Sequence, residues 1–243
     1  MKDLSFLKNY HICHRGLHDE NNNIIENTLT SFDKALEKNY AIELDTNILS
    51  CGTVVVFHDR NLKRLVGRED ILKDITYEEL KDVVIKGTNE TIHTLEYVLN
   101  YINGRVPLLI ELKPFGDKKR HVKEVIRLLS KYPHVYAIHS FNPYIVYQFK
   151  KLAPWIIRGQ ITEYFKNDSL NPIAKQLMKR MTFNFLSKPD FITYGIDDLP
   201  NKYVNKAKKK NLVILSYVAK TQAQLDFVKS HYDNAVFESF TPN

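Results

Sequence analysis

The feature that most constrains this chain is its alternation of short apolar runs with segments of helical period, sustained from one end to the other. Apolar runs fall at Tyr10 to His14, Tyr40 to Asp45, Val106 to Leu112, Val135 to His139, Ile156 to Ile161, Phe191 to Tyr194, Leu212 to Tyr217 and Ala235 to Phe237. Between most of them lie stretches with apolar residues three and four apart, such as Leu29, Phe32, Ala35 and Leu36. Strands that alternate with helices build a parallel sheet covered by helices. Eight such runs in 243 residues suit one TIM (β/α)8 barrel, whose usual length is about 250 residues. The chain is read as one domain over 1–243.

One run does not fit the parallel scheme. Thr53 to Phe57 follows Asp45 too closely for a parallel crossover, which needs a dozen residues or more. It must return antiparallel. If Cys51-Gly52 is a two-residue turn, Ser50 pairs with Thr53 and Asp45 lies opposite His58. The gap that follows is the longest between barrel strands. It predicts a small insertion at about 60–92, with Thr76 and Glu79 opening a short helix by a capping box and a second helix starting after Thr94. Later, Asn142-Pro143 and Asn171-Pro172 read as helix starts. The second of these predicts one long helix through Leu177, Met178, Met181 and Phe185.

Composition narrows the class. The formal charge of +7 favours anionic partners, but the lysines are dispersed and the one tight run, Lys208-Lys209-Lys210, suits a solvent-facing helix end. A nucleic-acid binder would concentrate its basic residues with exposed aromatics, so no nucleic-acid partner is expected. Two cysteines give no disulfide framework, the first residues lack a signal peptide's apolar core, and no apolar run is long enough to span a bilayer. The expectation is a cytoplasmic protein with no stable membrane insertion. Its oligomeric state is not legible.

Chemistry concentrates at strand ends, where barrels carry their sites. In Glu43-Leu44-Asp45 both carboxylates project to one face, and Glu111 and Lys113 do the same around Leu112. Glu43, Asp45 and Glu111 can converge on one divalent cation, and all-oxygen ligands suit Ca2+ or Mg2+. The alternative is a set of ion pairs at strand ends. His14 and His58 flank this cluster. Either could be a packed structural histidine, but together they supply the acid and base that phosphodiester cleavage requires. Arg15 and Lys113 would hold phosphate oxygens. His139 ends a strand and is a weaker rim candidate. Tyr164, Phe165 and Tyr217 could line a pocket.

His14-Arg15-Gly16, Glu26-Asn27-Thr28, Glu43-Leu44-Asp45, Val56-Phe57-His58-Asp59 and Glu111-Leu112-Lys113 occur in an order that resembles the glycerophosphodiester phosphodiesterases. The resemblance runs nearly end to end and is strongest through Lys113. It implies a TIM barrel with an insertion, and metal-dependent hydrolysis of a small-molecule glycerophosphodiester to sn-glycerol 3-phosphate and an alcohol. By that similarity His14 and His58 are the acid–base pair, Glu43, Asp45 and Glu111 bind the cation, and Arg15 and Lys113 contact phosphate. Three places depart from the family pattern: Ile25 replaces a proline, Ser216-Tyr217-Val218 replaces a tryptophan-bearing stretch, and Glu238-Ser239 replaces a Thr-Asp. The rival readings are a phospholipase C- or D-like enzyme on intact lipid and a non-enzymatic barrel that binds phosphate ligands.

Overall fold

The computed structural model describes residues 2–166 and 169–243. Among the described residues, nine strands run in the order β1-β9-β8-β7-β6-β5-β4-β2-β3, with β1 also pairing β2. They are β1 (Ile12–Cys13), β2 (Ala41–Ile48), β3 (Val54–Val56), β4 (Leu108–Leu112), β5 (Tyr136–Ser140), β6 (Arg158–Thr162), β7 (Phe191–Gly195), β8 (Val213–Ala219) and β9 (Asn234–Phe237). The fold is the expected TIM (β/α)8 barrel, with β3 as the additional antiparallel strand. Residue contacts divide the chain into two units, Cys13–Tyr136 and Met1–Ile12 with Ala137–Asn243.

In the Cys13–Tyr136 unit, α2 (Leu29–Glu37) begins at a true capping box, in which Thr28 and Ser31 satisfy each other's backbone N–H. It leads into β2, every residue of which is buried. β2 pairs in parallel with β4, placing Asp45 beside Glu111. It then runs past Asp45 to Ile48 and folds back as the β2–β3 hairpin.

The register of that hairpin differs by one residue from the expected one. Thr46 pairs with Val56 and Ile48 with Val54, and Phe57, not His58, donates its N–H to the Asp45 carbonyl at 3.0 Å. The loop has three residues, Ser50, Cys51 and Gly52. Gly52 donates to the Leu49 carbonyl at 3.0 Å and has φ +95°. This is the glycine-bulge form of a three-residue hairpin, which needs a positive φ at the last loop residue.

The hairpin and the chain beyond β3 build a small core from Leu49, Val55, Phe57, Leu62, Leu72, Ile75, Leu80, Ile85 and Ile92. The helix expected from Thr76 does not form. Glu79 accepts from the Thr76 N–H and hydroxyl at 2.8 and 2.7 Å, so the local capping signal is real. One turn later, the β-branched pair Val83-Val84 leads into an extended path, where Val84 bridges Thr91 and Ile85 donates to the Glu90 carbonyl. The helix after Thr94 is α3 (Leu95–Ile102), with Thr94 accepting from the Tyr97 N–H. After β4 comes α4 (Lys118–Leu129), capped by Asp117.

In the other unit, α1 (Ser5–Asn9) ends at Tyr10, which is one reason β1 is shorter than its apolar run. β5 through β9 pair in parallel, each with the next. They alternate with α5 (Pro143–Leu152), α6 (Pro172–Lys179), α7 (Asn184–Ser187), α8 (Lys202–Lys208) and α9 (Gln222–His231). Asn142 and Asn171 cap α5 and α6 as their Asn-Pro sequences predict.

The single long helix expected from Asn171 is two helices. Met181 takes φ +56°, and the Thr162 hydroxyl and the Tyr194 hydroxyl donate to the carbonyls of Met178 and Lys179, each at 3.0 Å. A helix needs partners for its last carbonyls; two strand-end hydroxyls supply them and the helix stops there. Among the described residues, no helix is long and apolar enough to cross a membrane.

Candidate active site

The period of two along β2 sets Glu43, Asp45 and Asn47 on one face, and the β2–β4 register brings Glu111 to Asp45. Lys113 follows Glu111 on the same face. Its Nζ lies 2.8 Å from Asp45 Oδ1 and 2.8 Å from Glu111 Oε1. Glu43 and Glu111 offer oxygens within 4.8 Å of each other.

β1 delivers His14 and Arg15. Arg15 turns the chain at φ +55°, donates its backbone N–H to Glu43 Oε2 at 3.1 Å, and donates Nη1–H to Glu26 Oε1 at 2.8 Å. Its Nε lies 3.1 Å from Asp45 Oδ2. Gly16 follows at φ +79°, where a Cβ would stand 2.9 Å from the Ser31 carbonyl carbon, so the close turn after β1 excludes a side chain. Asn27 clamps Asp45 from both sides: its amide donates to Oδ2 at 2.9 Å and its oxygen accepts the Asp45 N–H at 3.2 Å.

His58 reaches this group by a route other than strand pairing. The Asn47 side-chain amide donates to the Phe57 and Asp59 carbonyls at 2.8 and 3.2 Å. It thereby fixes the corner after β3, and His58 stands close enough to stabilise the Asp45 charge. The His58 Nδ1 lies 2.7 Å from Asp59 Oδ1. Burial disfavours the charge on Asp59, but His58 and Arg64 outweigh it and hold the carboxyl well below its usual range. An ionised Asp59 can only accept, so Nδ1 carries the proton and Nε2 is left to exchange one. Arg64 closes the network: it donates to Asp59 Oδ2 and Oδ1 at 2.7 and 3.0 Å, and to Glu26 Oε1 and Oε2 at 2.7 and 3.0 Å.

Glu26, Glu43, Asp45, Asp59 and Glu111 thus outnumber the permanent cations Arg15, Arg64 and Lys113. The surplus is felt unequally. Burial pushes Asp45 up, yet Lys113 and Arg15 hold it far below the ordinary carboxylate range. Burial and the neighbouring Asp45 push Glu43 up to about 7. Asp45 Oδ1 and Glu111 Oε1 are buried and have no hydrogen bond of ordinary geometry, despite their closeness to Lys113. Excess negative charge and buried oxygens short of donors are what an oxygen-coordinating divalent cation would satisfy. The residues fit such an ion.

The sequence motifs therefore bring together His14, Arg15, Glu43, Asp45, His58, Glu111 and Lys113, all in the Cys13–Tyr136 unit. Four further partners join them: Asp59 and the Glu26-Asn27 pair, which lie inside the family-like motifs, and Arg64, which has no local sequence signal. Of the weaker candidates, His139 sits in the other unit with Nδ1 3.3 Å from the Thr193 hydroxyl. There too, Tyr217 donates its hydroxyl to Glu163 Oε2 at 2.9 Å and meets Phe141 edge-on at 5.6 Å, and Phe165 packs on Phe141 at 6.3 Å. Tyr164 packs edge-on against Tyr194. His121 and Cys13 are buried; burial drives the His121 imidazole down to about 3.

Residues 14–237 match the Glycerophosphoryl diester phosphodiesterase family. The chain belongs to this family. It is an enzyme, a phosphoric diester hydrolase. It is 28% identical over 222 residues to a putative glycerophosphodiester phosphodiesterase of Bacillus subtilis, covering 88% of this chain and 87% of that one. It is 34% identical over 164 residues to a glycerophosphodiester phosphodiesterase of Caldanaerobacter subterraneus, covering 63% and 66%. Among solved structures, an Oleispira antarctica phosphodiesterase in complex with the product sn-glycerol-3-phosphate superposes with a TM-score of 0.79 at 22% identity, over 96% of this chain and 93% of that one. That likeness speaks for the fold.

Proposed function

We propose that the enzyme hydrolyses glycerophosphodiesters to sn-glycerol 3-phosphate and an alcohol, with His14 and His58 as the acid–base pair and with a divalent cation, Ca2+ or Mg2+, held by Glu43, Asp45 and Glu111. The whole chain acts as one catalytic domain, and residues 60–92 form an insertion in it. The observation that carries the reading is the pairing of His58 with an ionised Asp59 beside carboxylates that exceed their cations.

His58, with Nδ1–H given to Asp59, keeps Nε2 for proton exchange with a reacting oxygen. His14 supplies the complementary exchange, so that one histidine takes a proton from the attacking oxygen, either of water or of the glycerol 2-hydroxyl with water then opening the cyclic phosphate, as the other gives one to the departing alcohol. Arg15 and Lys113 bind the phosphate oxygens, Arg15 oriented by Glu26. Arg64 positions Asp59 and Glu26. Glu43, Asp45 and Glu111 would hold the cation, which when bound would supply charge neutralisation at the phosphoryl group.

The test is turnover of glycerophosphocholine, -ethanolamine, -glycerol and -inositol after chelation and re-addition of Ca2+ or Mg2+. Release of sn-glycerol 3-phosphate that requires the added cation is expected. No turnover of any of the four would overturn the substrate class, and turnover indifferent to chelator would remove the cation.

A further inference from the structure

The connection from β6 to β7 carries a surface for which phosphodiester chemistry has no use. Between Ser169 and Pro189 it contains Lys175, Lys179, Arg180 and Lys188, and no acidic residue. α6 is amphipathic yet buries none of its side chains. Among the described residues, the two most exposed large apolar side chains are here, Ile173 at 73% and Phe185 at 69%, and Leu170 and Leu186 are exposed as well. A single exposed leucine is ordinary; four large exposed apolar residues between Leu170 and Leu186 are not.

The segment is anchored. The Thr162 and Tyr194 hydroxyls hold the last carbonyls of α6. Lys150 of α5 donates to the Leu186 carbonyl at 2.6 Å and ties α7 down. Thr162 and Tyr194 lie at the C-terminal ends of β6 and β7, the end on which barrels carry their chemistry. Lys179 is partly spent, since its Nζ stands 5.1 Å over the Tyr164 ring. Arg180 and Lys188 are exposed and Lys175 half-buried.

We propose that residues 169–189 of this connection dock the enzyme on an anionic lipid surface. Ile173, Phe185 and Leu186 enter the headgroup boundary while Lys175, Arg180 and Lys188 meet the anionic headgroups. Apolar side chains interleaved with basic ones, and no carboxylate among them, are the composition of an interfacial anchor. A nucleic acid would use the charge and leave the isoleucine and phenylalanine without partners. The anchoring is peripheral.

The full-length enzyme is sedimented with vesicles of phosphatidylglycerol mixed with phosphatidylcholine, and with vesicles of phosphatidylcholine alone. Binding to the anionic vesicles that weakens with added salt is expected. Ile173→Ser and Phe185→Ser should each reduce it by about tenfold, the loss of one inserted apolar side chain, while turnover of a soluble glycerophosphodiester stays unchanged. Lys175→Gln with Arg180→Gln and Lys188→Gln should flatten the salt dependence. Failure to bind anionic vesicles overturns the proposal. Retention of binding by the Ile173 and Phe185 variants does so too. So does lipid-free self-association that Phe185→Ser abolishes, which would assign the surface to a second copy of this chain.

Discussion

The strand ends of the two units are built from opposite materials. In the Cys13–Tyr136 unit, β2 and β4 carry carboxylates paired with Lys113 and Arg15, and Asp45, Glu111 and Lys113 are buried. In the other unit, neutral side chains on β6 and β8 carry side-chain hydrogen bonds. Gln160 donates to the Ser140 and Phe141 carbonyls, Ser216 to the Tyr194 carbonyl, and Tyr217 to Glu163. Neutral donors such as Gln160 Nε2 and the Ser216 hydroxyl, given to backbone carbonyls, make a neutral wall at small electrostatic cost. Buried charges are kept only where something repays their desolvation. The difference supports placing the proposed reaction at the charged strands of the Cys13–Tyr136 unit.

The sharpest way to break this comparison is to remove the histidines beside the charged strands. His58→Ala or His14→Ala should lower kcat by roughly 10²–10⁴-fold, the usual contribution of a general acid or base. Near-normal turnover in both variants would sink the assignment.

Next in size is the cation. Glu43→Ala should weaken the apparent affinity for the added divalent ion by more than the roughly 10–100-fold that loss of an outer-shell partner costs, read by back-titration after chelation. The same residue predicts a pH effect with a definite sign. A carboxyl pushed up to about 7 costs stability when ionised, so the metal-free protein should lose stability as pH rises from the unfolded value near 4.5 through 7. In chelator at pH 8, Glu43→Gln should therefore melt higher than wild type while losing activity. A lower melting temperature would contradict the charge surplus.

Smaller effects are expected from the neutral wall. Tyr217→Phe removes one hydrogen bond, about 0.5–1.5 kcal/mol, and should change relative kcat/KM among head groups by no more than about tenfold. A collapse of turnover on every substrate would move the reaction into that unit.

The smallest effect should come from Arg64→Gln, which deprives Glu26 and Asp59 of a cation. Both carboxyls are held below their usual range, so their stabilising contribution is complete above the unfolded values and is lost as pH falls through the folded ones. Arg64 is substantially exposed, which leaves below about 1 kcal/mol at neutral pH after solvent screening. The acid-unfolding midpoint should nonetheless rise; an unchanged midpoint would show the bridge to be idle.

The parts legible in sequence share one property: they depend on local periodicity. The apolar runs, the Asn-Pro helix starts, the common face of Glu43 and Asp45, and the need for Thr53 to Phe57 to return antiparallel all follow from spacings of two, three and four residues. What tertiary structure decided depends on partners far along the chain. The hairpin register was settled by the positive φ of Gly52, which shifts Asp45 from His58 to Phe57, and Asn47 then returned His58 to the site by holding the corner after β3. The helix through Met181 has the right periodicity and still breaks, because hydroxyls from Thr162 and Tyr194 take its last carbonyls. Arg64 joins Glu26 across 38 residues with no pattern to announce it. Periodicity determines which face a side chain takes; which distant group it then meets is decided by hydrogen bonds and charge, whose energies depend on burial that only the folded chain creates.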